Sequence, residues 1–356
     1  MNFWSPLSAR TRSRRRSRNP TTTVFDRFRD WNADIQQNRP RRKKNIQHLL
    51  DDDEDDDDCT PEPWHEDHYP NCNDIHAHRL ASHLANGLWR DVFIVTHDFE
   101  NAAVMKMMKK EHEVTLRNWD RHRRDAVVME QLAGSPYVVD IYGYCGNTVV
   151  TERISPALSE LVIEPEFIAP LPQRVLWARD MARGLAALHE KGIIHADIQA
   201  KQFLWQSEKG ISKINDFNRC RFAERATPTR KGNSTKAVVD SPFCPVRIGS
   251  APGKQRSPEE YRNDLLTEKL DVYSYANILM ALWTGHKAWD DYASAEAKRL
   301  IQSGFVPPSP FSAEASPQEE KLWDLTVATY ARDPQNRPSA HEIATVLDHV
   351  LQELTG

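Results

Sequence analysis

Two short apolar runs that each hand a carboxylate to a loop constrain this chain more than any other feature of it. Gly192, Ile193 and Ile194 lead into His195, Ala196 and Asp197, and Lys213, Ile214 and Asn215 lead into Asp216. Runs this short read as strands only inside a larger packed frame, and the flanking sequence supplies one. Before them lie the apolar stretches DVFIV (91–95), AAVMKMM (102–108), YVVDIYGY (137–144) and NTVVTERI (147–154), which predict an antiparallel sheet interrupted by one helix over about residues 118–133. After Pro172 the period lengthens to that of helices, as in 175–192 and 268–285, closed by Gly192 and Gly285. Sheet first and helices second predicts an α+β fold in two lobes, a small antiparallel-sheet lobe over about 81–154 and a mostly helical one over about 155–355.

The remaining N-terminal sequence reads differently. Residues 1–50 hold 13 Lys or Arg against the three acids Asp26, Asp30 and Asp34, and residues 51–58 then read DDDEDDDD. Single-sign charge blocks with few apolar positions do not offset the entropy of ordering a chain, so residues 1–58 are expected to be a disordered arm, basic and then acidic. Within it, TVFDRFRDWNADIQ (23–36) has near-helical apolar spacing and is a candidate docking helix. Residues 59–80, rich in Pro, Asn and aromatics, read as an extended lead-in. The arm's basic runs suit a polyanionic partner, either nucleic acid or anionic lipid, or a nuclear import signal; the bland alternative is a solvated tail neutralised by its own Asp run.

No stretch reaches the roughly 18–20 apolar residues that span a bilayer, and the basic N-terminus has no apolar segment behind it. A cytoplasmic or nuclear location is therefore expected, and a lumenal or membrane-associated one would require an anchor upstream. Five cysteines form no dense framework, so reduced thiols are the default, with Cys59 and Cys72 as the pair that would close in an oxidising compartment. The spacing of Cys59, His65, His68, Cys72, His76 and His78 matches no common zinc finger.

GIIHADIQAKQFLW (192–205) followed by KINDFNRCRF (213–222) resembles the protein kinase superfamily. The catalytic-loop pattern H-R-D-L-x-x-x-N maps on His195, Ala196, Asp197, Ile198 and Gln202, and D-F-G maps on Asp216, Phe217 and Asn218. The resemblance implies phosphoryl transfer from ATP with Mg2+ or Mn2+: Asp197 accepts the proton of the substrate hydroxyl, and Asp216 with Gln202 holds metal. It places Lys106, in AVMK, on the nucleotide phosphates, with Asp125 of the predicted helix as its ion-pair partner. Glu130, five residues on, should point elsewhere, since each residue turns the helix by about 100°. In VVTERI, Thr151 becomes the gatekeeper and Glu152 and Ile154 the backbone partners of adenine, with Val92, Val104 and Leu204 as its apolar sandwich. His195, Glu259 of RSPEEY, Arg337 of NRPSAHEI and Asp271 of DVYSYA take structural roles: Glu259 and Arg337 as a buried pair, Asp271 as a brace for the catalytic loop.

The pattern is departed from in places. The nucleotide loop aligns with LANGLWRDV, where Gly87 survives but Ala85 and Arg90 stand at the flanking glycine positions. Gln202 replaces a metal-binding Asn, Asn218 the glycine of D-F-G, and Ala196 an arginine that reads activation-segment phosphates. Gln199 replaces a lysine, and Lys201, four residues after Asp197, is the candidate cation for the γ-phosphate. The expectation is a kinase acting on a protein substrate, serine or threonine ahead of tyrosine. The alternative is a pseudokinase that scaffolds partners, and the sequence carries no sign of an oligomeric state.

Overall fold

The computed structural model describes residues 72, 75, 78–96, 102–165, 168–224, 243–249 and 252–356. The charged arm, its candidate helix, nearly all of the lead-in and residues 225–242 of the activation segment lie outside the described residues.

Five strands form one antiparallel sheet in the order β1-β2-β3-β5-β4: β1 Arg79–Asn86, β2 Arg90–Thr96, β3 Ala102–Met108, β4 Ile141–Cys145 and β5 Thr148–Glu152. Because side chains alternate along a strand, the register sorts residues into two sets. Phe93, Val95, Ala103, Met105 and Val150 pack with Ile75 into a core on one face. Val92, opposite Lys106, and Val104, opposite both Ile94 and Thr151, belong to the other. β1 was not expected from the sequence. Most of its residues are exposed, so it lacks the apolar alternation that would have marked it.

Helix α1 spans Leu116–Gln131, two residues earlier than expected, because Thr115 accepts the Asn118 amide at 3.2 Å and caps it. Its buried face carries two polar residues, His122 and Asp125, beside Ala126, Val128 and Met129, while Glu130 is exposed. Past the sheet come α2 Leu158–Val162, α3 Leu171–Glu190, α4 Pro258–Arg262, α5 Lys269–Thr284, α6 Ser294–Ser303, α7 Pro317–Thr329 and α8 Ala340–Thr355. α5 is buried nearly all round and ends where Gly285 takes φ +77°, a conformation that favours glycine.

Two small two-stranded sheets between α3 and α4 carry the loops of interest. β6 Ile193–Ile194 pairs with β9 Arg221–Phe222, and β7 Phe203–Gln206 with β8 Ile211–Ile214. His195 to Gln202 thus form the loop between β6 and β7, and Asp216 follows β8. The Val139 amide donates to Ile214 O at 3.0 Å, joining this region to the segment before β4.

The cysteines differ from expectation. Cys72 is disulfide-bonded to Cys145 of β4, so neither is the reduced thiol expected and Cys59 is not the partner of Cys72. A sequence separation of 73 residues hides such a pair from any spacing rule. Among the described residues no cluster of His, Cys, Asp or Glu could hold a metal, and no helix is long and apolar enough to cross a membrane.

Candidate active site

A cleft of about 800 Å³ opens between the cleft-facing side of the sheet and the loops after β6 and β8. Gly87, Val92, Val104, Lys106, Thr151, Glu152, Ile154, Asp197, Lys201, Gln202, Leu204 and Asp216 all line it. The structure thus brings together residues from eight elements and loops. His195, Asp125, Glu259, Asp271 and Arg337 are fully or nearly fully buried and do not line it.

The loop bearing Asp197 is held from beneath. Both carboxylate oxygens of Asp271, in the first turn of α5, accept backbone amides, from His195 at 2.7 Å and Ala196 at 2.8 Å. These bonds hold Ala196 at φ +62°, a left-handed conformation that costs a non-glycine residue on the order of 1–3 kcal/mol. His195 Nδ1 accepts the Asp197 amide at 3.3 Å, and its Nε2 lies 3.2 Å from Asn215 O, linking the two carboxylate loops.

Asp197 itself is surrounded by donors. Arg256 Nη2 donates to Oδ1 at 2.9 Å, Gln199 Nε2 to the same oxygen at 3.2 Å, and Gln202 Nε2 to Oδ2 at 3.4 Å. Burial would raise the Asp197 carboxyl, but Arg256, Arg219 and His195 together outweigh it and hold the group below the usual carboxylate range. Arg256 is buried and also donates to Ala196 O at 3.0 Å. Sequence reasoning missed this residue. The one signal was an arginine directly before Ser257-Pro258-Glu259, with Gln199 leaving Asp197 short of a cation.

The ion pair expected between Lys106 and Asp125 is not the one formed. Arg90 Nη1 donates to Asp125 Oδ2 at 2.5 Å, Arg90 Nε donates to His122 Nδ1 at 2.6 Å, and the Phe217 amide donates to Asp125 Oδ1 at 2.7 Å. Lys106 Nζ donates instead to Asn215 Oδ1 at 2.5 Å. The reason is reach: Asp is one methylene shorter than Glu, and the long fork of Arg90, entering at the start of β2, gets to the carboxylate. Asp125 is held below its usual range because Arg90 and Lys106 outweigh its burial. Burial lowers Lys106 despite the attraction of Asp125 and Asp216.

Asp216 adopts φ +65°, and Asn218 sits inside a short 3₁₀ turn over Phe217–Arg219. The left-handed residue is thus the aspartate rather than the asparagine that replaces glycine. The Asn218 side-chain amide donates to Asp216 Oδ1.

At the other end of the cleft the Glu152 carboxylate accepts Lys213 Nζ at 2.6 Å and the Asp140 amide at 2.8 Å, fixing the end of β5 against β8 and the segment before β4. Burial would lower Lys213, but its bonds to Glu152 and Asp140 raise it. Ile154 lies two residues past β5, with its backbone outside the strand ladder. Far below the cleft, Arg337 Nη1 and Nη2 donate to the two oxygens of Glu259 at 2.6 and 2.8 Å, both side chains buried.

The cleft fits a metal-bound triphosphate. Arg90, Arg121, Arg219 and Arg256 line it, setting four guanidinium groups around the space a triphosphate would take. Guanidinium groups recognise phosphate oxygens through charge-assisted hydrogen bonds. Asp216 and the side-chain carbonyl of Gln202, whose amide nitrogen is turned to Asp197, supply oxygen donors suited to magnesium.

Residues 80–349 match the protein kinase domain family. Among curated proteins, the chain is 28% identical over 278 residues to human dual specificity testis-specific protein kinase 2, covering 76% of this chain and 44% of that protein. It is 23% identical over 279 residues to the dual specificity protein kinase shkA of Dictyostelium discoideum, covering 75% and 48%. It is 28% identical over 179 residues to that organism's RGS domain-containing serine/threonine-protein kinase A, covering 50% and 14%. The chain therefore spans less than half the length of these relatives. With a family match over most of its length and that family's landmarks gathered around one cleft, the chain belongs to the protein kinase family.

Proposed function

We propose that this chain is an active protein kinase that transfers the γ-phosphoryl group of Mg-ATP to a protein hydroxyl, serine or threonine ahead of tyrosine. The observation that carries it is Asp197, ion-paired with the buried Arg256 at 2.9 Å in a cleft that Lys106, Asp216, Arg90, Arg121 and Arg219 also line. The names of the relatives, dual specificity and serine/threonine kinases, support the acceptor class.

In this reading the substrate hydroxyl approaches Asp197, which orients it and takes its proton as the new O–P bond forms and the bond from the γ-phosphorus to its bridging oxygen breaks. A carboxylate below its usual range is a weak base, which suits a transfer whose catalysis rests on positioning and charge. Lys106, with Asn215 as its only hydrogen-bonded anchor among the described residues, meets phosphate oxygens, and Arg90, Arg121 and Arg219 extend that field. Magnesium held by Asp216 and Gln202 would neutralise the charge that develops on the phosphates.

A second reading, a scaffold without turnover, is favoured by the side chains of Ala85 and Arg90 at glycine positions of the nucleotide loop and by the Asn218 amide on Asp216. Phosphate transfer from labelled ATP to a generic protein substrate, run with magnesium and with manganese, separates the two. Transfer by the wild type that is lost in both Asp197→Asn and Lys106→Met supports the kinase. A folded wild type as inert as these variants with either metal overturns it.

A further inference from the structure

A second cavity continues directly from the cleft. It has a volume of about 350 Å³, and Gln199, Lys201 and Gln255 line both. Its floor is apolar and deep in the fold: Ile198 of the catalytic loop, Ile278 and Ala281 of α5, and Trp289 beyond it. The floor is also pinned. Trp289 Nε1 donates to Asn277 Oδ1 at 2.7 Å, and Asn277 Nδ2 and Ser274 Oγ donate to Gln255 O at 3.3 and 3.0 Å. A preformed apolar hollow of at least roughly 300 Å³ is of the size that binds ligand groups in general.

The rim is basic. Among the described residues, Lys201, Lys254 and Lys287 stand around it against the single carboxylate of Asp290. Among the described residues no acidic side chain forms an ion pair with any of the three. Lys254 Nζ is held by two carbonyls, Trp289 O at 3.0 Å and Tyr292 O at 2.6 Å, which fixes its place without neutralising it. A chain whose hydroxyl reaches Asp197 must pass Gln199 and Lys201, so residues beside that hydroxyl lie over the hollow.

We infer that this cavity selects the phosphoacceptor segment, taking an apolar side chain into the hollow and flanking carboxylates onto the lysine rim, so that the substrate class is acidic and apolar rather than basic. The inference rests on the kinase reading for its acceptor geometry. Charge complementarity of this kind sets selectivity and salt dependence more than raw affinity.

The test uses the full chain and three fluorescein-labelled peptides with one serine each: one flanked by glutamates and leucines, a second with the glutamates replaced by lysine, a third with the leucines replaced by alanine. Fluorescence polarisation is expected to show binding of the first, with the second and third each weaker by roughly tenfold and the first weakened by added salt. Lys287→Glu is expected to erase the preference for glutamate over lysine while leaving the thermal shift with Mg-ATP unchanged. Equal or tighter binding of the lysine peptide, no binding of the glutamate peptide, or an unchanged preference in Lys287→Glu overturns the inference. Adding labelled ATP separates the two readings: selective binding with no transfer removes the kinase and leaves the cavity, and transfer blind to peptide charge does the reverse.

Discussion

Arg90 holds a carboxylate 35 residues away that the order of family landmarks assigns to Lys106. Its ion pair with Asp125 is almost wholly buried, so removing the cation leaves a charge with nothing equivalent to replace it. Arg90→Ala is therefore expected to lose about 3–5 kcal/mol in urea unfolding. Lys106→Met should lose much less, because its hydrogen-bond partner is the neutral amide of Asn215. Equal losses would show that Lys106 is the true partner. The same arginine reports on pH through His122. Burial first, then Arg90, pushes that imidazole down to about 4, and accepting the Arg90 Nε–H at Nδ1 requires it neutral. Its folded value lies below its unfolded one, so the unfolded chain takes up the proton first as pH falls. Stability is full above the unfolded value near 6.5 and falls by at most about 3 kcal/mol as pH drops toward 4. Unfolding midpoints between pH 7 and 4 should show this slope, and His122→Gln should flatten it.

Secondary-structure elements are coupled here by single bonds at their ends. The Phe217 amide on Asp125 ties α1 to the segment after β8, so α1 and the loop of Asp216 keep a common position. The Cys72–Cys145 disulfide ties the chain ahead of β1 to β4, at the edge of the sheet. Closing a loop with a separation of 73 residues stabilises by about 2–4 kcal/mol, mainly by restricting the unfolded chain. A reductant, or the pair Cys72→Ser and Cys145→Ser, should lower the melting temperature accordingly, and a Tm indifferent to reduction would mean the bond is not formed in solution. Several ends were legible from local chemistry alone. The cap at Gly285 and the helix it closes needed only a period and a glycine. β1 was not legible, because its exposed residues carry no pattern for burial to impose.

Across the whole molecule, Arg256 reaches the catalytic loop from the far end of the activation segment, 59 residues along the chain. Removing it leaves the burial of Asp197 less opposed, so the carboxyl should rise toward its ordinary value, with Arg219 and His195 still holding it down. Arg256→Ala is expected to move the acid limb of the kcat/KM profile to higher pH, with Arg256→Lys restoring part of the shift. A lower but unshifted profile would make Arg256 purely structural. Through its resemblance to the kinase motifs, the sequence by itself placed Val92, Val104, Lys106, Thr151, Leu204, Asp197 and Asp216 around one cleft, though not Arg256, which lines it too. It also marked Asp271, Glu259 and Arg337 as residues of the interior by their place among the motifs. The motifs also paired Glu259 with Arg337, but only the tertiary structure decided the other pairings: Arg90 with Asp125, Arg256 with Asp197, Lys213 with Glu152, and the disulfide of Cys72 with Cys145. Where no motif names it, the partner of a buried charge is set by where distant elements cross and by which side chain is long enough to reach, and neither is written in the spacing of residues along the chain.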